Sequence, residues 1–139
     1  MTSAAEFHAF GTKETFETEA ADWIEARLED ALSRRGKATL FCSGGSTPGP
    51  IYEALSGLNL DWEHVTIGLA DERWVDETHE ASNAALVRRT LLKDKAEAAT
   101  FLPMKTEDNS AFGAEAALER TYGEAASVID VLVLGMGED

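Results

Sequence analysis

The fold of this chain is decided by the stretch Thr39-Leu40-Phe41-Cys42-Ser43-Gly44-Gly45-Ser46-Thr47-Pro48. The apolar run at 38–42 is long enough for a buried strand and too short for a helix. The glycines and hydroxyl residues that follow predict a tight turn, and the proline after them is typical of the first turn of a helix. The sequence therefore predicts a strand, a glycine-rich turn and a helix in immediate succession.

A turn of this kind can bind an anion. Its glycines let successive backbone N–H groups converge on the ligand, the hydroxyls of Ser43, Ser46 and Thr47 can add donors, and the helix end adds partial positive charge. Because Pro48 and Pro50 lack an N–H, we expect the loop amides to do most of the binding. The spacing matches neither the P-loop nor the dinucleotide fingerprint. A purely structural turn with a helix cap is the alternative interpretation.

The composition suits one acidic domain. The chain has 139 residues, of which 44% are apolar, and it carries 12 Lys and Arg against 26 Asp and Glu, giving a net charge of −14. Long-range repulsion disfavours nucleic acid and anionic membranes as partners, so a phosphate-bearing ligand must be attracted locally. Since the sequence has no 18-residue apolar run and no signal-peptide pattern, we expect a cytoplasmic protein.

Apolar periodicity predicts the remaining elements. Strands are expected at 5–10, 65–70, 100–102 and 131–134, and helices at 13–35, 48–56, 81–92 and 111–126, with Gly36 ending the first helix. Apolar strands that alternate with amphipathic helices indicate an α/β fold, a mostly parallel, doubly wound, Rossmann-like sheet with helices on both faces. Because no repeat or linker is visible, residues 1–139 are predicted to form a single domain.

Polar or glycine-rich sequence directly follows three of these strands: SGGST at 43–47, DER at 71–73 and GMGED at 135–139. Ligands of parallel α/β sheets bind beyond the carboxyl ends of the strands, so we expect these segments to meet. Arg73 can pair with phosphate or stabilise developing negative charge, and Asp71 can bind a ligand hydroxyl or orient a basic partner. The alternatives are a structural ion pair for Arg73 and a loop cap for Asp71.

Thiol and metal chemistry are not expected. Cys42 is the only cysteine, and its place at the end of an apolar strand predicts a buried free thiol rather than a nucleophile. Asp71, Glu72, Glu138 and Asp139 follow two strands and would suit a Mg²⁺ site for phosphoryl chemistry. Such coincidences are frequent in a chain this acidic, and no motif supports a metal. We therefore expect neither a metal nor a cofactor.

The end of the chain is unusual for this fold. It stops five residues after Leu134, which leaves the last predicted strand with little to cover it. We expect a fold truncated at its C-terminus: the front part of a longer protein, a shortened chain, or one piece of an assembly. A second copy or the missing C-terminal part would then be its partner.

Five motifs follow one another along the chain: SGGSTP at 43–48, DERWV at 71–75, His79, Ser82-Asn83 and GMGED at 135–139. In these motifs and in their order, the chain resembles the 6-phosphogluconolactonases from about Phe7 to Asp139. The resemblance implies a fold shared with glucosamine-6-phosphate deaminases and ribose-5-phosphate isomerases, and a sugar-phosphate-binding domain of which 1–139 is the N-terminal portion. The deaminases tend to have tyrosine at the position of Arg73, which favours the lactonases. In that family the glycine-rich segment continues to a histidine, the presumed general base, whereas this chain stops at Asp139.

The resemblance implies hydrolysis of 6-phospho-D-glucono-1,5-lactone to 6-phosphogluconate in the pentose phosphate pathway, by metal-free general-base attack of water on the lactone carbonyl. Arg73, Asp71 and Asp139 are the expected catalytic residues, Asp139 by orienting the histidine beyond it. The expected substrate-binding residues are Ser43, Gly44, Gly45, Ser46, Thr47, Arg73, Gly135 and Gly137. We expect this piece alone to be weak or inert as a catalyst.

Other roles stay open at this point. A non-enzymatic sugar-phosphate sensor is one alternative, although no helix-turn-helix pattern or basic segment is visible, and a deaminase or isomerase is another. Glu72, Ser82 and Asn83 are expected to be structural, the last two as helix caps. His79 is expected to be a hydrogen-bonded scaffold residue rather than the base, and Arg88 and Arg89 a solvated face.

Overall fold

Four helices and four strands alternate along residues 5–107, 110–125 and 127–135, which are the residues that the computed structural model describes. Two short 3₁₀ turns, Trp62–His64 and Asp94–Ala98, precede the second and third strands. In chain order the elements are α1 Lys13–Arg35, β1 Ala38–Cys42, α2 Gly49–Ser56, β2 Val65–Leu69, α3 Asn83–Thr90, β3 Thr100–Phe101, α4 Ala111–Ala125 and β4 Val131–Leu132.

The strands form one parallel sheet in the order β3-β2-β1-β4. β1 is central, with Ala38 beside Val65 of β2 and Leu40 beside Val131 of β4. The chain moves outward from β1 to β2 and β3, and α4 then leads it back to β4 on the other side of β1. This reversal is the topological switch point of a doubly wound sheet, and the predicted α/β fold is confirmed.

β1 is buried over its whole length because helices cover both of its faces. Leu40 and Cys42 belong to the core cluster that also contains residues of α1 and α2. Phe41 points to the opposite face, where its ring meets Tyr122 of α4 edge-on with the ring centroids 5.5 Å apart. The buried apolar pattern of this strand therefore reflects two separate layers of helix packing.

α1 has the bounds that the sequence predicts because both of its ends carry strong local signals. The Thr12 hydroxyl accepts a hydrogen bond from the Thr15 N–H at 3.1 Å and caps the first turn. Gly36 adopts φ +74° at the other end, and its N–H donates to the Leu32 carbonyl. A left-handed residue of this kind ends a helix cleanly.

Residues 5–10 do not form the predicted strand. They have no regular secondary structure and are exposed, Phe7 to 92%. A strand needs a partner for its backbone, and within the described part of the chain the sheet ends at β3 and β4 without pairing to this segment. β3 and β4 are also shorter than predicted, and the side chain of Leu134 is 73% exposed.

An ion pair joins the end of α1 to the start of β4. The Arg35 guanidinium donates to both carboxylate oxygens of Asp130 at 2.7 and 2.8 Å, and the Thr39 N–H donates to the same carboxylate at 2.8 Å. These contacts lower the pKa of Asp130, the hydrogen bonds from Arg35 most of all. The carboxylate thus connects α1, β1 and β4.

Asp130→Asn is expected to lower the free energy of unfolding by about 1 kcal/mol near neutral pH, because solvent partly screens the pair. Since the folded pKa of Asp130 is depressed, its contribution is complete above the unfolded pKa and is lost as the pH falls through the folded pKa. Urea unfolding near neutral pH and at about pH 3 should show a smaller acid-induced loss in the variant. The control is Asp30→Asn, which breaks the exposed i,i+4 pair with Arg34. Equal effects of the two substitutions would contradict the role of Asp130.

Candidate functional site

A cavity of about 600 Å³ opens at the carboxyl ends of β1, β2 and β4, beside the topological switch point. All the predicted site residues that the structure describes line it, whereas Gly137 and Asp139 lie outside the described residues. The three strand ends therefore meet, as the sequence predicts. The lining consists of Ser43, Gly44, Gly45, Ser46, Thr47, Pro48, Asp71, Arg73, Asn83, Leu134 and Gly135.

The loop after β1 presents backbone to this cavity. Gly45 has φ +99°, a conformation that side-chain-bearing residues rarely adopt, and residues 45–47 are exposed. α2 begins at Gly49, Pro48 gives it no side-chain cap, and Pro50 lies in its first turn. The helix end thus has few N–H donors of its own, so the loop amides are the main donors on this side. The Ser43 hydroxyl is buried and makes no hydrogen bond within the described residues, which leaves its bonding capacity open.

Arg73 and Asp71 are the charged side chains of the lining, and both residues are exposed. The Arg73 guanidinium donates from Nη1 to the Ala81 carbonyl at 3.2 Å, and within the described ranges it forms no ion pair with a carboxylate. The structural ion pair that the sequence left open for Arg73 is thus not seen there. Its remaining N–H groups leave room for an anionic ligand.

Glu72, between these two residues, does not line the cavity, and its carboxylate holds the start of α3. Its two carboxylate oxygens accept hydrogen bonds from the Asn83 N–H at 2.6 Å, the Ala84 N–H at 2.9 Å and the Ser82 hydroxyl at 3.1 Å. Negative charge is favourable at a helix N-terminus, so the structural role predicted for Glu72 is confirmed. Ser82 is the predicted helix cap, since its hydroxyl accepts from the Ala85 N–H.

Asn83 lines the cavity, which the sequence did not indicate. It is 5% exposed and lies in the first turn of α3 rather than capping it. Its Nδ2 donates to the Asp71 carbonyl at 3.1 Å, and its side chain packs so closely on Gly44 that a methyl group there would lie 2.0 Å from Oδ1. Asn83 thereby joins the loop after β1 to the end of β2. The Ser82-Asn83 pair was a visible signal, but sequence spacing alone does not place it against Gly44.

The other polar residues considered from the sequence do not line the cavity, as far as they fall within the described part of the chain. His79 accepts a hydrogen bond at Nδ1 from the Ala81 N–H at 2.9 Å, as expected of a scaffold residue. Arg88 pairs with Glu77 and lies over the Phe101 ring. Burial raises the pKa of Cys42 to about 12, so this thiol stays protonated and is not a nucleophile near neutral pH.

Within the described ranges, none of the helices has the length and apolar character that crossing a membrane requires. The cytoplasmic location expected from the sequence stays a prediction.

Comparisons with known proteins agree with this geometry. A family model described as glucosamine-6-phosphate isomerases/6-phosphogluconolactonase matches residues 11–139. A 6-phosphogluconolactonase of Pseudomonas aeruginosa is 46% identical over 84% of this chain and 49% of its own length, and one of Rhizobium meliloti is 42% identical over 98% of this chain and 59% of its own. The crystal structure of a 6-phosphogluconolactonase from Shewanella baltica matches with a TM-score of 0.90 at 40% identity, over 94% of this chain and 56% of that one. The chain spans about half the length of the curated relatives it matches.

Proposed function

Because the chain belongs to the glucosamine-6-phosphate isomerase/6-phosphogluconolactonase family, we propose that it supplies the substrate site of an enzyme that hydrolyses 6-phospho-D-glucono-1,5-lactone to 6-phosphogluconate. The observation that carries this proposal is the meeting of three strand ends in one cavity, where a glycine-rich loop faces an arginine and a carboxylate. Its volume of about 600 Å³ lies within the usual range for small-molecule sites.

The phosphate of the substrate binds to the loop after β1. The amides of 44–47 and the hydroxyls of Ser46 and Thr47 are donors, whereas the net charge of −14 repels anions at long range. Recognition therefore depends on close hydrogen bonds rather than on steering. Asp71 lines the same cavity as a hydrogen-bond acceptor for a hydroxyl of the sugar ring, and Gly135 lines it as well. Glycine at positions 135 and 137 has no side chain to keep that ring from the backbone.

Arg73 stabilises the negative charge that forms on the lactone carbonyl when water adds to it. The ring C–O bond then breaks, and the alkoxide that leaves takes up a proton. The general base is a histidine supplied from beyond Asp139, and Asp139 orients that histidine. A lactone is an ester whose leaving group is an alkoxide, and it is reactive enough for a general base and an oxyanion donor to suffice. The step therefore needs no metal.

A hydrolysis assay tests this proposal on the chain alone and on the chain fused ahead of the second half of the Pseudomonas aeruginosa relative. With chelator present, the fused protein should hydrolyse the lactone at least about 100-fold faster than water alone, and the chain alone should be weak. No acceleration by the fused protein would contradict the proposal. Binding of 6-phosphogluconate without turnover would instead indicate a sensor, and ammonia release from glucosamine 6-phosphate a deaminase.

A further inference from the structure

The junction between β1 and the glycine-rich loop depends on a side chain that the proposed chemistry does not use. Ser43, which is 7% exposed, is the first residue after β1. Its N–H donates to the phenol oxygen of Tyr52 at 3.0 Å, and the same phenol donates to the Ser43 carbonyl at 2.8 Å. One hydroxyl thus satisfies both backbone groups of this residue, and either group would be costly to leave unpaired in a buried place.

Tyr52 lies on α2, and its side chain is fully buried beneath the start of the loop. A phenol hydroxyl can donate one hydrogen bond and accept another at once. Burial raises the pKa of this phenol further above neutral pH. The Tyr52 N–H also donates to the Pro48 carbonyl at 2.9 Å. The loop is therefore tied to the same residue at its start through Ser43 and at its end through Pro48.

We propose that Tyr52 is a positioning residue for ligand binding, which fixes the Ser43 backbone so that the amides of Gly44 and Gly45 face the cavity. The tyrosine ring fills the core as a phenylalanine ring would, whereas its hydroxyl bonds to the base of the loop. The inference rests on the proposed function for the identity of the ligand, but the positioning itself is a property of the free protein.

Tyr52→Phe keeps the ring and removes the hydroxyl. The backbone groups of Ser43 must then find other partners, which shifts the amides that follow. We expect displaced amide resonances for Gly44 and Gly45 in the free variant and about a tenfold weaker affinity for 6-phosphogluconate and for inorganic phosphate. The matched control is Ser56→Ala. It also removes a buried hydroxyl of α2 that donates to a backbone carbonyl, that of Glu53, but at the far end of the helix.

Loop resonances and affinities that are the same in Tyr52→Phe and in the wild type would overturn the proposal, as would equal effects of Ser56→Ala. If the wild type binds neither probe, the proposed function fails, and the loop resonances of the free proteins decide this inference alone. If Tyr52→Phe does not fold, hydrogen exchange of the backbone amides in the wild type is the test. The Ser43 amide should then exchange far more slowly than those of residues 45–47, and equal rates would contradict its bond to Tyr52.

Discussion

Replacing Arg73 with alanine is expected to lower kcat/KM for lactone hydrolysis by about 10²- to 10³-fold, measured in the fused protein with chelator present. Arg73 is the cationic side chain of the described lining, and it is tied to the protein by a guanidinium bond to the Ala81 carbonyl and by its N–H to Glu72. Its removal therefore takes away a charge that lines the cavity and leaves the fold nearly as stable. Arg73→Lys should recover part of the rate, because a lysine keeps the charge but loses the two-pronged geometry.

The matched control for Arg73 is Arg89→Ala. Arg89 is also exposed, but it lies in the last turn of α3 and does not line the cavity. We expect its removal to leave kcat/KM within about twofold of the wild type, since the macrodipole interaction of an exposed cation is weak. Equal rates for the two alanine variants would remove Arg73 from the reaction.

Gly44→Ala is the second substitution with a large expected effect. The added methyl group would lie 2.0 Å from Oδ1 and 2.5 Å from Cγ of Asn83. Asn83 is 5% exposed and is held by its bond to the Asp71 carbonyl, so it has little room to move away. We expect the free energy of unfolding to fall by about 1–3 kcal/mol and the affinity for 6-phosphogluconate to fall at least about tenfold.

The double variant Gly44→Ala/Asn83→Ala tests whether this clash is the cause. Truncating Asn83 makes room for the methyl group, so the double variant should lose less stability than the sum of the two single variants. Gly57→Ala is the control for a glycine replacement in open space, since no atom lies near its added methyl group and its φ of −92° suits alanine. Urea unfolding measures all four variants. Strict additivity of the two single effects would contradict direct contact between these residues.

Local sequence was enough to predict the elements that position the site. β1 is buried on both faces, so its apolar run has one interpretation, and α1 has a cap residue at one end and a left-handed glycine at the other. The loop at 43–47 follows from its glycines and from the proline that ends it. The meeting of the three strand ends follows from the parallel sheet, because parallel strands present their carboxyl ends at one edge.

The features that sequence reasoning missed depend on contacts between distant parts of the chain. Residues 5–10 alternate like a strand, but no strand of the described sheet pairs with them. The contact of Asn83 with Gly44 depends on the packing of α3 beside α2, and no local pattern shows where the hydroxyl of Tyr52 points. These contacts are set by how the helices and strands pack together, which local sequence patterns do not specify.

Titration of the ¹⁵N-labelled chain with 6-phosphogluconate tests most directly the claim that three strand ends form one ligand site. The amide resonances of residues 44–47, Asp71, Arg73 and Gly135 should move together with a single dissociation constant, because these residues line one cavity. The resonances of Asp61 to His64, which do not line it, should stay in place. Saturable shifts confined to other parts of the chain, or no shifts at millimolar ligand, would contradict the claim.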